Sequence, residues 1–318
     1  MLQIFIEKCV VKEMPEYPKV HFVVLNYNAF IDTIDCIQSI KKINYPSYEI
    51  IVVDNASKDN SFEEISKAFS DIALLRSENN YGYANGNNMG ISYALSKGAE
   101  YICIINNDVV VENDFLEPLM ERVLGDNKIG LIGPCICDFY QRDRIQAFGS
   151  SLNMVTGLTR AKFKNDLWKE HEGEEKEVGY LGGACFIIKA EVFNKIGLIP
   201  ENYFLFFEET EFCLKAVRAK FKMVCLAKSK VYHKGSFTIS KFSGLSYFFL
   251  NRNRVIFMRR NANKLQYPLF SVYLFLEAFG RMLIRKEKLK LISHYIEGFL
   301  ADKNKIDLNK VDYYMKGK

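Results

Sequence analysis

With 318 residues the chain can bury a full core, as one large α/β domain or two smaller ones, and its 49% hydrophobic and 25% charged residues are an ordinary globular composition. Eight cysteines are scattered without a CxxC pair, Cys135 and Cys137 being the one close couple, which argues against a zinc site or a disulfide framework and for a reducing compartment. The net charge of +5 conceals an acidic body and a basic tail: from Lys241 onward 16 Lys and Arg face 6 Asp and Glu, a charge of +10, which leaves −5 for the first 240 residues.

The opening MLQIFIEKCV has an apolar patch too short, and interrupted too early by Glu7 and Lys8, for a signal peptide or a membrane span, so a cytoplasmic setting is expected. Continuous apolar runs at 20–25, 49–53, 72–75 and 101–105 read as strands of a sheet covered on both faces. Helix-period stretches separate them at 30–42, where Ile34, Ile37 and Ile40 share a face, at 61–69 and at 86–96. This rhythm predicts a doubly wound α/β sheet, which takes ligands beyond the carboxyl ends of its strands. Asn26, Asp54, Asn80 and Asp108 sit at or soon after those ends. A nicotinamide dehydrogenase would share such a sheet, but LNYNAF after the first run has no glycine and hence no GxGxxG turn; a nucleotidyltransferase would more usually carry a Gly-rich, basic loop there.

Beyond 129–134 the pattern is less regular. The charged stretch 160–177, with the sole tryptophan Trp168, reads as a mobile loop or hairpin insertion. Gly182 and Gly183 then precede an apolar strand at 184–188, and FFEETEFC opens a helix to about residue 220. From Gly244 onward helices dominate.

Five segments carry candidate chemistry, and each has a plainer reading. In IINNDVVV, Asp108 follows a buried run and offers the oxygen ligand a hard cation such as Mg²⁺ or Mn²⁺ needs, although Asn-Asn-Asp is also an ordinary turn. Asp54 in IIVVDNASKDNS can accept from a nucleobase N–H or a ribose hydroxyl, or serve with its neighbours as a helix cap. In NNYGYANGNNMG, which includes Asn80 and Asn87, small and amide side chains permit close approach to a ligand or simply start a helix. Glu208, Glu209 and Glu211 are set among Phe206, Phe207 and Phe212, where a solvated helix face would not be, although acids at a helix N-terminus are favoured by the dipole. His233 in VYHKGSFT is either a ligand or a satisfied core histidine.

FVVLNYN, VVDNASKDNS, NYGYANGNNMGI, NNDVVV, GGACFIIKAEVFNKIG, YFLFFEETEFCLKAVRAKF and VYHKGS follow one another in an order that resembles the inverting family 2 glycosyltransferases, specifically their rhamnosyltransferase-like group. The resemblance spans about 20–264 and implies the GT-A fold: two abutting Rossmann-like halves, mostly parallel, forming one sheet. It implies a catalytic domain over 1–240 and a basic helical extension over 241–318. By the same resemblance Asp54 contacts the donor base and Asp108 binds Mg²⁺ or Mn²⁺ with help from His233. Asn106 stands where the family's DxD motif has its first aspartate. Glu209 aligns with the catalytic base, with Glu208 as the neighbouring alternative. Asn26, Asn80, Asn87, Gly182 and Gly183 fall to the donor. The expected partners are a nucleoside-diphosphate sugar and a glycan or lipid-linked acceptor, with no nucleic acid. The QxxRW signature of processive synthases is absent around Trp168, which favours transfer of one sugar.

In the tail, SYFFLNRNRVIFMRRN and YPLFSVYLFLEAFGRMLIRKEKLK interleave large apolar residues with Arg252, Arg254, Arg259, Arg260, Arg281, Arg285, Lys286, Lys288 and Lys290. As helices they could dock on the anionic inner face of a membrane, or else pack on the catalytic part or form a homodimer interface. A span is not expected, because the apolar run 267–284 is barely long enough and is broken by Glu277 and Arg281.

Overall fold

In the computed structural model, residues 17–182, 184–235, 244–284, 290–308 and 310–311 are described. Strand and helix alternate through the first third: β1 (Val20–Asn26), α1 (Phe30–Ile40), β2 (Tyr48–Asp54), α2 (Ser61–Ala68), β3 (Ala73–Arg76), α3 (Tyr83–Ser96) and β4 (Tyr101–Asn106). β5 (Val109–Val111), α4 (Leu116–Leu124), β6 (Ile129–Asp138), β7 (Ile145–Ala147), the hairpin β8 (Ser150–Asn153) and β9 (Leu158–Ala161), and β10 (Glu175–Glu177) follow. β11 (Cys185–Lys189), α5 (Ala190–Ile196), α6 (Glu208–Arg218) and β12 (Lys222–His233) lead to three helices, α7 (Leu245–Asn261), α8 (Gln266–Ile284) and α9 (Lys290–Leu300).

Eight strands run in the order β10-β12-β6-β11-β4-β1-β2-β3, with β5 added on β12 and β7 on β6. β4, β1, β2 and β3 form one parallel block and β6 with β12 another. β11 joins them by pairing antiparallel to both β4 and β6. These are the two abutting halves of the GT-A arrangement. Val23, Ile51, Ile104 and Phe186 face one apolar layer and Phe22, Val52, Cys103 and Ile187 the other, which is why these strands read as unbroken apolar runs.

α3 begins three residues before the expected 86, where Gly82 at φ 99° turns the chain and its carbonyl accepts the Gly86 N–H. Two glycines of this helix serve packing. A Cβ on Gly86 would lie 2.4 Å from Leu25 Cδ1, and one on Gly90 2.5 Å from Val23 Cγ1, so both glycines let α3 lie directly on β1. The charged stretch 160–177 is tied down: the Trp168 indole donates to the Ala227 carbonyl at 2.8 Å, and β10 extends the sheet.

Four arginines of α7 are engaged within the protein. Arg252 and Arg254 on α7 are buried, Arg254 meeting Glu277 of α8 at 2.8 Å and the Thr156 carbonyl of the β8–β9 turn at 2.6 Å. Arg259 donates to the carbonyls of Gly298 and Ala301, and Arg260 grips Glu211 of α6. These four arginines therefore do not face a lipid surface; between them they serve backbone carbonyls, two carboxylates and the Asn253 amide oxygen. α7 shares an apolar core with Tyr203, Leu152, Met154 and Leu214. Arg285, Lys286 and Lys288 lie outside the described residues. Among the described helices none is long and apolar enough to cross a membrane.

Because α3 has no room against β1, Gly90→Val should overpack that contact at a cost of roughly 1–3 kcal/mol and lower Tm by several degrees in scanning calorimetry. An unchanged Tm would show that the helix can lift without penalty.

Candidate active site

The carboxyl ends of β1 and β2 carry Asn26 and Asp54 in direct register. Both are wholly buried: Asn26 Nδ2 donates to Asp54 Oδ1 at 2.8 Å and to Ser57 Oγ at 3.1 Å, and its Oδ1 accepts from Thr33 Oγ1 at 2.8 Å. Asp54 Oδ2 accepts the Ser57 N–H at 3.2 Å and faces Arg76 Nε at 3.8 Å. Asp54 is thus the knot that fixes the β2–α2 turn, with acceptor capacity left on its two oxygens. Arg76, at the end of β3 and half exposed, brings a cation to the same rim; its place in an unremarkable ALLR run gave no warning in the sequence.

Asn80 Oδ1 accepts from Asn55 Nδ2 and from the Gly82 N–H, so it shapes the turn into α3. Asn87 is buried on α3, its amide nitrogen bonded to the Tyr83 carbonyl and its Oδ1 without a partner. Adding a Cβ to Gly182 would meet nothing within 4 Å, so its surroundings are open; Gly183 lies outside the described residues.

Asp108 follows β4 and immediately precedes β5, whose antiparallel pairing sets Val109 opposite His233 at the end of β12. His233 Nε2 comes to rest 3.2 Å from Asp108 Oδ1. On the other side of the ring, Nδ1 lies 2.9 Å from Gln146 Oε1. Gln146 Nε2 donates to Asp138 Oδ2 at 3.0 Å and to the His233 carbonyl at 2.9 Å, which leaves Oε1 as the atom turned to the ring. Nδ1 must therefore carry a proton, and a neutral His233 points the lone pair of Nε2 at a carboxylate oxygen. Two acceptors at this distance require a cation or a second proton between them. A carboxylate and an oriented imidazole suit Mg²⁺ or Mn²⁺, which keep their remaining positions for water and substrate phosphates. Among the described residues no third His, Cys, Asp or Glu joins this pair. Gln146 escaped sequence reading because it is 87 residues from His233.

The third part is the acid pair at the start of α6. Glu208 and Glu209 are 4% and 8% exposed, and Glu208 Oε2 and Glu209 Oε1 have no partner. Burial pushes both carboxyls up, Glu208 to about 7 and Glu209 to about 8, the charge of Glu208 adding to the rise at Glu209. Glu211, one helical step on, behaves oppositely. Burial pushes it up as well, but hydrogen bonds from Arg260, Tyr203 and Asn261 outweigh that and hold it at about 2. Such a division separates acid–base candidates from a structural anchor. The hydroxyl of Tyr83 is bonded to Glu209 and lies 3.3 Å from Asn106 Oδ1. With one proton to give, it passes a hydrogen bond from protonated Glu209 on to Asn106, or turns to Glu209 when that group is ionised. Just before the acids, Phe204, Phe206 and Phe207 take φ of 66°, 66° and 76°, a left-handed backbone that costs of order 1–3 kcal/mol per bulky residue.

Residues 22–197 match the profile of the family described as Glycosyl transferase family 2. The chain belongs to that family. Two relatives support the assignment along most of its length. The low-salt glycan biosynthesis hexosyltransferase Agl10 of Haloferax volcanii is 28% identical over 79% of this chain and 81% of its own. The dTDP-rhamnosyl transferase RfbF of Shigella flexneri is 22% identical over 76% of this chain and 80% of its own. The mannosyltransferase PcManGT of Pyrobaculum calidifontis, solved in complex with GDP-Man and Mn²⁺, shares the fold with a TM-score of 0.55, 14% identity and coverage of 90% of this chain and 85% of its own. The protein is a glycosyltransferase with the GT-A fold.

Raised carboxyl values give a pH dependence with a definite sign. If either glutamate is the base, turnover should climb as pH rises through about 7 to 8. Stability moves the other way: the protonated pair favours the folded state fully below the ordinary carboxyl value of about 4.5, and that contribution is lost as pH rises through the folded values. Glu209→Gln should flatten the fall in Tm between about pH 4.5 and 8 and lower turnover on the order of 10²-fold or more, with nucleotide binding nearly intact. If Glu208→Gln has these effects and Glu209→Gln does not, the base is Glu208.

Proposed function

We propose that this glycosyltransferase moves a single sugar, with inversion, from a nucleoside-diphosphate sugar to a hydroxyl of a glycan or lipid-linked acceptor in the cytoplasm, Glu209 acting as base. The observation that carries the reading is a pair of sites: an oriented imidazole facing a carboxylate at His233 and Asp108, and a buried, proton-avid glutamate pair on α6 with one oxygen of each lacking a partner. We assign Asn26, Asp54, Asn80, Asn87, Asn106, Gly182 and Gly183 to the donor, and Arg76 would add a cation for its anionic groups. Asp108 and His233 would hold Mg²⁺ or Mn²⁺, which when bound stabilises negative charge on the departing diphosphate. Glu209 takes the acceptor proton from the face opposite the diphosphate, so the anomeric configuration inverts. Rhamnose is the sugar we favour, on the resemblance of the motifs and the likeness to RfbF.

Thermal stabilisation by a panel of UDP-, dTDP- and GDP-sugars with Mn²⁺ or EDTA tests the donor and metal assignments together, since a bound ligand raises Tm by mass action. Asp108→Ala should abolish the Mn²⁺-dependent shift, because among the described residues no cluster of three or more His, Cys, Asp and Glu stands ready to replace it. Equal shifts with and without EDTA would overturn the metal assignment, and an α-to-β relation between donor and product other than inversion, read by proton NMR, would overturn the single displacement.

The acceptor's class is argued from α8. Leu269, Val272, Leu276, Phe279 and Leu283 recur at helical spacing and are all exposed, and Arg285, Lys286, Lys288 and Lys290 follow in sequence. An apolar stripe leading into cations suits an anionic membrane surface, at roughly 1 kcal/mol per cation near the headgroups. The protein should float with anionic liposomes at low salt and less at high salt. Failure to float at low salt, with a dimer in analytical ultracentrifugation, would assign the stripe to a second copy.

A further inference from the structure

Phe249 and Phe257 of the tail pack on Phe204 and Phe207 of the loop that leads to the acid pair, and one polar side chain of the tail holds that loop's carbonyls. Asn253, in the middle of α7, is wholly buried, and the two hydrogens of its Nδ2 are shared among the carbonyls of Tyr203 at 2.9 Å, Leu205 at 2.8 Å and Phe206 at 3.1 Å. The intervening carbonyl, that of Phe204, accepts the Tyr83 N–H at 2.8 Å. Four consecutive carbonyls are thereby satisfied without helix or strand, in the stretch where Phe204 and Phe206 hold positive φ. The amide cannot be reversed: Asn253 Oδ1 accepts from the buried Arg252 guanidinium at 2.7 Å, so the nitrogen must face the carbonyls. At one end the loop sets Tyr83 against Asn106 and Glu209, and Gly82 leaves it room, since a Cβ there would lie 2.3 Å from the Phe204 carbonyl oxygen. At the other end Phe207 opens α6, its carbonyl accepting the Glu211 N–H.

We propose that Asn253 is a positioning residue of the transfer reaction: it clamps the strained 203–207 loop so that Glu209 and the Tyr83 hydroxyl are presented together to the acceptor. Of the left-handed phenylalanines Phe206 depends on Asn253 for its carbonyl; without that donor it relaxes toward the right-handed region, and the relaxation turns the first residues of α6. The clamp is a fact of backbone restraint; only its catalytic consequence rests on the glycosyltransferase reading.

The test compares Asn253→Ala and Asn253→Asp with Met258→Ala. Asp keeps the shape but sets carboxylate oxygens against carbonyls, and Met258 is equally buried on α7, meets the β8–β9 turn at Gly157 and donates nothing to the loop carbonyls. Hydrogen exchange of peptides spanning 203–213 and 245–261 is read beside the Tm shift given by UDP with Mn²⁺ and the pH dependence of hydrolysis of UDP-N-acetylglucosamine, dTDP-rhamnose and GDP-mannose. Both Asn253 variants should speed exchange in 203–213 by about 10-fold or more while α7 stays protected. They should lower kcat by about 10- to 100-fold with KM within about 3-fold, and move the rising limb of the pH profile. Met258→Ala should lower Tm yet leave loop exchange and kcat within about 2-fold. Unchanged loop exchange overturns the clamp. Retained kcat in a loosened loop, or Met258→Ala reproducing both effects, overturns the positioning role. If the parent protein hydrolyses none of the three donors, the donor and function reading has failed, and the exchange measurement alone decides the clamp.

Discussion

Removing a carboxylate from water is expensive unless cations or donors replace the water, and one turn of α6 shows both outcomes. Glu211 receives Arg260, Tyr203 and Asn261 and stays ionised. Glu208 and Glu209 receive too little, so each holds a proton more tightly than a free carboxyl does. Much of the surrounding structure follows from keeping these three apart in character. Arg260 must come from α7, which therefore has to pack on the body, and the chain entering α6 must adopt a left-handed backbone that only buried donors can hold. The tail is a condition for the electrostatics of the site.

How much of this is legible in the sequence depends on the range of the interaction. The doubly wound half is written in local hydrophobic runs, and the observed β1, β2, β3 and β4 begin and end within a residue of those runs. Polar residues ending such runs mark the carboxyl edge of the sheet, so Asn26, Asp54, Asn106 and Asp108 can be found without coordinates. Whether Asp54 faces inward or outward cannot be read that way, because Asn26 and Ser57 reach it from separate elements. Gln146 and Asn253 are invisible for the same reason: each acts through hydrogen bonds to residues tens of positions away. The positive φ of Phe204, Phe206 and Phe207 contradicts their side chains, and local propensity rightly points elsewhere.

Charge in the tail illustrates a different limit. Counting Lys and Arg treats each as a surface cation, yet Arg252 and Arg254 are almost entirely enclosed and Arg259 and Arg260 terminate on carbonyls and a carboxylate. Guanidinium is suited to this role because five donors in a fixed plane can satisfy several acceptors at once. Net charge therefore overstates the electrostatic reach of α7, while the apolar stripe of α8 was legible as a pattern and does remain exposed.

β5 has only three residues, yet its ladder with β12 is the ruler that sets the separation of Asp108 and His233. Strand side chains alternate between faces, so a shift of that ladder by a single position would turn one member of the pair away from the other. Insertions and deletions between 108 and 111 are therefore closed to gradual change in a way that loops carrying specificity are not. Divergence of the sugar or the acceptor can proceed at the rims, by side-chain replacement and loop length, while this short ladder keeps a fixed phase.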